Sequence, residues 1–366
     1  MKQFLKTITY FSLLGIIPLA ILLFSYIYFD PFKVLRDYDD YSYSYINPDL
    51  DFISTEVYIK NNPKYHYNSF ILGSSRTLAY QPKSWIKHLP EGARPYVFAA
   101  SNESVYGIYI KLKFLDSLHR KIDNALIIYC RDVTFNKTAN ESGHLFIKHP
   151  ATTQESKLDF QLAFFKSYLS PVFFINFYTY TITKEFKPHM VGYVENKKVH
   201  YNKITNQVSI VDGENEIRKT PDEYYKKLKD VFYEREGERI DSVQRIQEKQ
   251  LFMLKEIKRI LKKNNTNYKI VLSPLYEQIK FNPQDLAILK ELYGDHLYDF
   301  SGKNFVSDFK TNYYETSHYR PNMGDSLLNI IYQRRTLNSY LRSYNNQPKL
   351  VSGNIKKQLL STYLYR

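Results

Sequence analysis

The chain reads as an α/β domain on a mainly parallel sheet, carried behind an N-terminal transmembrane helix and interrupted by one α/β insertion. Three observations predict this. Residues 7–29, "TITYFSLLGIIPLAILLFSYIYF", carry no charge and are long enough as a helix to cross a hydrocarbon core of about 30 Å. Short β-rich runs then alternate with longer helical patterns, as they do where helices connect parallel strands. The stretch from about 150 to 218 breaks that alternation and reads as the insertion.

The apolar run ends in "SYIYFDPF", an aromatic belt of the kind that sits at a membrane interface. A secretory signal would have a shorter apolar region and a small-x-small cleavage site, so residues 1–30 read as an uncleaved anchor. Lys2 and Lys6 precede the helix and "DYDD" (37–40) follows it, with Lys33 and Arg36 nearby. The positive-inside rule then puts the N-terminus in the cytoplasm, and residues 31–366 beyond the cytoplasmic membrane as one domain with its insertion.

Composition narrows the function classes. Hydrophobic content of 43% and aromatic content of 16%, with 35 Tyr, exclude general disorder. The single Cys130 cannot form an internal disulfide, which excludes a disulfide scaffold and a multi-Cys zinc site. A net charge of +14 on an exported domain points to anionic lipid headgroups or an acidic glycan rather than nucleic acid. Most individual lysines read as solvated surface.

Strands are expected at "SFIL" (69–72), "YVFA" (96–99), "ALIIY" (125–129), "YKIVL" (268–272) and "HLYDF" (296–300). Each ends in a polar loop, as buried parallel strands do. Val105, Ile108, Leu112, Leu115 and Leu118 recur at spacings of three and four, which predicts one apolar helix stripe. Thr220-Pro221-Asp222-Glu223 reads as a capping box opening a long charged helical region to about residue 263. "NPQDLAILKELYG" (282–294) reads as a further helix with a glycine stop. Within the insertion, "FFKSYLSPVFFINFYTYTI" (164–182) is interrupted by Lys166 and Pro171, so it reads as a buried or membrane-surface helix rather than a second span. Residues 191–211 alternate like a β-hairpin. The basic tail, about 340–366, has no clear pattern.

In an open parallel sheet, ligands bind at the carboxyl ends of the strands, where "GSSRT" (73–77) follows the first run. Serines after a glycine are common in turns, and the G-x-S-x-G elbow is absent because position 77 is Thr. Near the other end, "NYYETSHYRPNMGDSLL" (312–328) places Glu315 three residues before His318 and ahead of a helix opened by Pro321. A serine nucleophile needs a base, and the base needs a carboxylate to fix its tautomer. Together the two segments supply all three, although the sequence leaves open whether Ser74 can stand in for Ser75. His66, His88, His119, His144 and His149 show no metal-ligand spacing. No P-loop, dinucleotide fingerprint or EF-hand is present, so no cofactor is expected.

"ILGSSRT" (71–77) and "YYETSHYRPNMGD" (313–325) resemble the first and last blocks of the SGNH (GDSL-like) hydrolase superfamily, in its membrane-anchored bacterial branch. The resemblance covers about 69–135 and 268–335 and leaves the insertion aside. It implies a flavodoxin-like three-layer α/β/α sandwich, with Ser75 as nucleophile, His318 as general base and Glu315 in place of the usual Asp. It also implies an oxyanion hole from the Ser75 N–H and from residues after the second and third strands. Ser101 or Asn102 stands in the first of those regions, and Arg131 and Asp132 stand where the family carries G-x-N-D. Arg76 either pairs with Asp132 or holds an anionic substrate. The "NES", "NKT", "NES" and "NNT" triplets fit a glycosylation sequon that has no role in bacteria.

The resulting expectation is an esterase or O-acyltransferase acting on a cell-envelope glycan or other acylated envelope polymer, with a membrane-bound acyl-transfer partner if it transfers. The alternative is a catalytically silent accessory protein that binds glycan or scaffolds envelope assembly.

Overall fold

The computed structural model describes residues 1–194 and 198–332. The basic tail from 340 lies outside the described residues. Helix α1 (Lys2–Phe29) contains the uncharged run and ends at Asp30, whose backbone is left-handed. The Asp30 carboxylate turns inward and accepts from the N–H groups of Val34 and Leu35 and from the Tyr38 hydroxyl. The first acidic residue after the helix is thus satisfied within the protein. Helix α2 (Leu50–Tyr65) starts at Asp49, whose side chain accepts from Asp51 N and Phe52 N, the usual office of an N-cap.

Five strands form the central sheet: β1 (Ser69–Ser74), β2 (Pro95–Ala100), β3 (Asn124–Tyr129), β4 (Asn267–Leu272) and β5 (Leu297–Asp299). They lie in the order β2-β1-β3-β4-β5, and every pairing is parallel. Side chains alternate across the sheet, and both faces are buried. Phe70 and Leu72 of β1 pack into one core with α2, α3 (Val105–Ser117), α6 (Glu248–Lys263) and α7 (Pro283–Tyr293). Ile71 faces the opposite core with Val97, Leu126 and Val271, closed by α8 (Pro321–Tyr332) and by the 211–232 segment. Continuous apolar strands are what two covered faces require.

The insertion holds α4 (Lys157–Tyr168), α5 (Pro171–Thr183) and an antiparallel pairing of Val199–Tyr201 with Val208–Ile210. The apolar 164–182 run is therefore two helices. They are separated at Ser170-Pro171, where the proline takes the first helical position. Both pack with Tyr26 and Phe32 in a third, aromatic core.

Two expectations are corrected. Leu118 lies beyond the apolar stripe: it caps α3 and is 43% exposed, so the buried stripe ends at Leu115. The region from Thr220 to about 263 is not one helix. Thr220 makes no side-chain cap, because its hydroxyl donates back to Glu216 O. The helix it precedes stops at Lys227. Gly237, at φ 99°, turns the chain, and Arg235 donates to the carbonyls of Tyr276, Ser307 and Asp308. Arg239–Ile240 then pairs with Ile279–Lys280. These long-range hydrogen bonds outweigh a helical propensity of a few tenths of a kcal/mol per residue.

Candidate active site

The turn that carries the serines follows from one backbone position. Gly73 has φ 154°, and a Cβ there would lie 2.9 Å from Ile128 O. Only glycine lets β1 pass β3 this closely while turning. The next residues form a tight 3₁₀ turn, Ser75–Ala79, and Ser74 caps it through a hydrogen bond accepted from Arg76 N. Ser74 is 2% exposed and its Oγ touches Cys130 Sγ at 3.4 Å. It faces the interior, while Ser75 points the other way.

Ser75 Oγ lies 2.7 Å from His318 Nε2, and His318 Nδ1 is hydrogen-bonded to Glu315 Oε1. Glu315 and His318 pair across a short antiparallel turn, Tyr313–Glu315 against His318–Tyr319. The second carboxylate oxygen accepts from Ser317 N at 2.7 Å. The longer glutamate arm is thus held by the loop's own backbone. The His318 and Glu315 side chains are 24% and 22% exposed, open enough for a ligand and sheltered enough to strengthen polar contacts. Chemically, the chain can move a proton from the hydroxyl onto the imidazole and stabilise the resulting cation.

Arg76 is the joint between the two halves. It is 7% exposed, pairs with both oxygens of Asp132 at 2.8 and 2.7 Å, and donates Nε to Ser317 O at 2.9 Å. A planar fork suits this three-way contact and a lysine would not. The Asp132 pairing, one of the two roles open to Arg76, is therefore present. Helix α8 backs the same turn: a Cβ on Gly324 would fall 1.9 Å from Ala79 O, so glycine sets this contact distance.

Of the other candidates, Ser101 and Asn102 follow Ala100, which pairs in register with Ser74, and Arg131 is engaged elsewhere. Ser101 and Asn102 form the turn after β2, with Asn102 exposed and at φ 47°. Arg131 is buried and pairs with Asp241 and Glu277, which ties the end of β3 to the 241–247 segment instead of the site.

Several supports have no signature in the sequence. Tyr224 OH donates to Tyr314 O, and Tyr225 OH to Tyr313 O. Glu214 binds Arg320 through both carboxylate oxygens and accepts from Tyr314 OH. Arg320 lies inside "SHYRP" and could be singled out as part of that block, but its partner lies 106 residues earlier. Tyr319, from the same block, donates to Tyr80 OH and accepts from Ser273, and burial pushes its phenol well above the usual range. A cavity of 210 Å³ lined by Leu78, Val211, Glu214, Tyr314 and Pro321 borders these loops.

No family model matches the chain. No curated protein matches it either.

Proposed function

We propose that this chain is a membrane-anchored serine esterase or O-acyltransferase of SGNH type, acting on an acylated envelope glycan or polymer on the far side of the cytoplasmic membrane. The observation that carries the reading is the Ser75–His318–Glu315 hydrogen-bonded chain at the carboxyl end of the first strand. The strand order β2-β1-β3-β4-β5 supports a flavodoxin-like arrangement, in which ligands sit outside the strand ends. The uncharged run of α1, preceded in the same helix by Lys2 and Lys6, supports the anchor and its sidedness.

In this reading Ser75 Oγ attacks an ester carbonyl as its proton passes to His318 Nε2. The C–O bond to the leaving alcohol breaks as His318 returns that proton, and water or a second hydroxyl then releases the acyl group from Ser75 by the same steps in reverse. Transfer, as opposed to hydrolysis, implies a membrane-bound donor or partner. The reading as a silent glycan-binding accessory draws on Arg131, whose engagement with Asp241 and Glu277 removes one candidate donor from the site.

The test is labelling of the full chain in detergent micelles with a fluorophosphonate, which a serine attacks at phosphorus with loss of fluoride. Labelling that disappears in Ser75→Ala and His318→Ala but persists in Ser74→Ala is expected. A folded wild type that does not label, with and without native membranes added back, overturns the enzyme reading in favour of the accessory.

A further inference from the structure

The end of α1 does not stand clear of the folded domain. Ser25 Oγ lies 2.5 Å from Tyr168 OH. The Tyr26 ring packs 5.2 Å from Phe165 and 5.1 Å from Tyr168, and Phe29 packs 5.7 Å from both Phe177 and Tyr178. These partners belong to α4 and α5 of the insertion. Ser25 precedes Phe29 by one turn, about 6 Å along the axis, so the α4–α5 hairpin flanks the last turns of the apolar helix. Residues 7–29 span slightly more than a hydrocarbon core needs, and these last turns fall at its edge. Arg36 reinforces that level by donating to the carbonyls of Ile27 and Tyr28 at the helix C-terminus.

The hairpin is also apolar on its outside. Leu158 and Leu162 share one face of α4, Leu169 caps its end, and the three are 67%, 39% and 38% exposed. Val172, Ile175 and Ile182 form one stripe of α5 and are 49%, 62% and 78% exposed. Such stripes at helical spacing suit a surface that is half in lipid. Lys166, Lys184 and Lys187 are exposed beside them, which suits anionic headgroups.

We infer that the α4–α5 hairpin is a second membrane contact, lying in the interface of the bilayer that α1 crosses and binding its anionic lipid surface through the α5 stripe and the neighbouring lysines. The inference rests on α1 spanning that bilayer. Its consequence is orientational: a single span leaves a domain free to rotate about its tether, whereas a span and a flanking hairpin fix which face meets the membrane.

The experiment is fluorescence quenching in vesicles of equimolar phosphatidylcholine and phosphatidylglycerol. The full chain carries a bimane on a single introduced cysteine, Leu14→Cys, Ile175→Cys or Phe252→Cys; the native Cys130 is 0% exposed and stays unlabelled. Nitroxides are placed either high on the lipid acyl chain or near its end. Ile175→Cys is expected to lose about half its emission to the shallow nitroxide, as an interfacial stripe should. Leu14→Cys is expected to respond to the deep nitroxide, and Phe252→Cys, exposed on α6, to neither. An unquenched Ile175→Cys beside a quenched Leu14→Cys overturns the hairpin contact and leaves the span intact. An unquenched Leu14→Cys overturns the span and the hairpin contact with it.

Discussion

Two sets of paired acids and bases in this protein have similar chemistry and opposite settings. In the first, Asp51, Glu103, Lys111 and Lys148 are each 4% exposed or less. Lys111 bonds Asp51 at 2.7 Å and also Glu103, and Lys148 bonds Glu103 at 2.7 Å. Gly107 leaves room for them, since a Cβ there would fall 1.9 Å from Glu103 Oε1. In the second, Glu315 and His318 share one hydrogen bond and keep roughly a quarter of their surface open. Two acids facing two ammonium groups are engaged with one another; they fasten α2, α3 and the segment before residue 150 together. The half-open pair retains a ring nitrogen directed at Ser75. Saturation and exposure, not the presence of charge, separate scaffold from chemistry here.

That contrast predicts opposite outcomes for mutations at the two places. His318→Ala should lower the fluorophosphonate labelling rate by about 10⁴–10⁶-fold, the scale of losing a triad member, while thermal unfolding stays near the wild-type temperature. Lys111→Met should do the reverse. Leaving Asp51 and Glu103 with one cation between them should cost about 3–5 kcal/mol of stability, with labelling per folded molecule unchanged in a denaturation-matched assay. If Lys111→Met were as stable as wild type but unreactive, the division would fail.

Arg76 tests the boundary between the two settings, because it is buried like the first set and touches the loop of the second. Arg76→Lys keeps the charge and loses the fork. It should slow labelling by about 10²-fold through misplacement of His318, and the loss should appear in the maximal rate more than in probe affinity. An equal loss in Lys111→Met, in the buried cluster, would show that the effect is only general loosening.

The uneven legibility of the sequence has the same origin. Strands of β-rich residues, each closed by a polar loop, announce a parallel sheet because their signals are local. Ser75, Glu315 and His318 are legible because a serine at a strand end and an acid–histidine pair each fit within a few residues. The Arg76 contact to Ser317 O is not, because a backbone carbonyl has no residue type. Lys111 and Lys148 fall among the lysines that read as solvated surface, and nothing local marks Asp51 or Glu103, since their pairing exists only once segments far apart in sequence are packed. The long helix expected after Thr220 fails for a related reason: Arg235 and Asp241 answer to partners elsewhere in the chain.

In mild acid the smallest effect is expected at Asp49, which borders the buried cluster. It is 1% exposed and caps α2 at 2.8 Å from Asp51 N, while its other oxygen has no hydrogen-bond partner. Burial first, and then the adjacent Asp51 carboxylate, push its carboxyl up from 3.8 to about 8. The folded state therefore keeps a proton that the unfolded state releases above about pH 4, so this group makes the fold less stable as pH rises through that window. Asp51 is held below the ordinary range: burial opposes its charge, but Lys111 and Lys148 outweigh that cost. Its contribution runs the opposite way and is lost only in acid. Asp49→Asn retains the capping oxygen and cannot ionise. It should lie within about 1 kcal/mol of wild type near pH 4 and gain on it up to about pH 8, where the gain levels off in thermal unfolding. Parallel pH curves for the two proteins would mean that Asp49 is charged in the fold, and that the boundary between the saturated cluster and its neighbours is wetter than its burial implies.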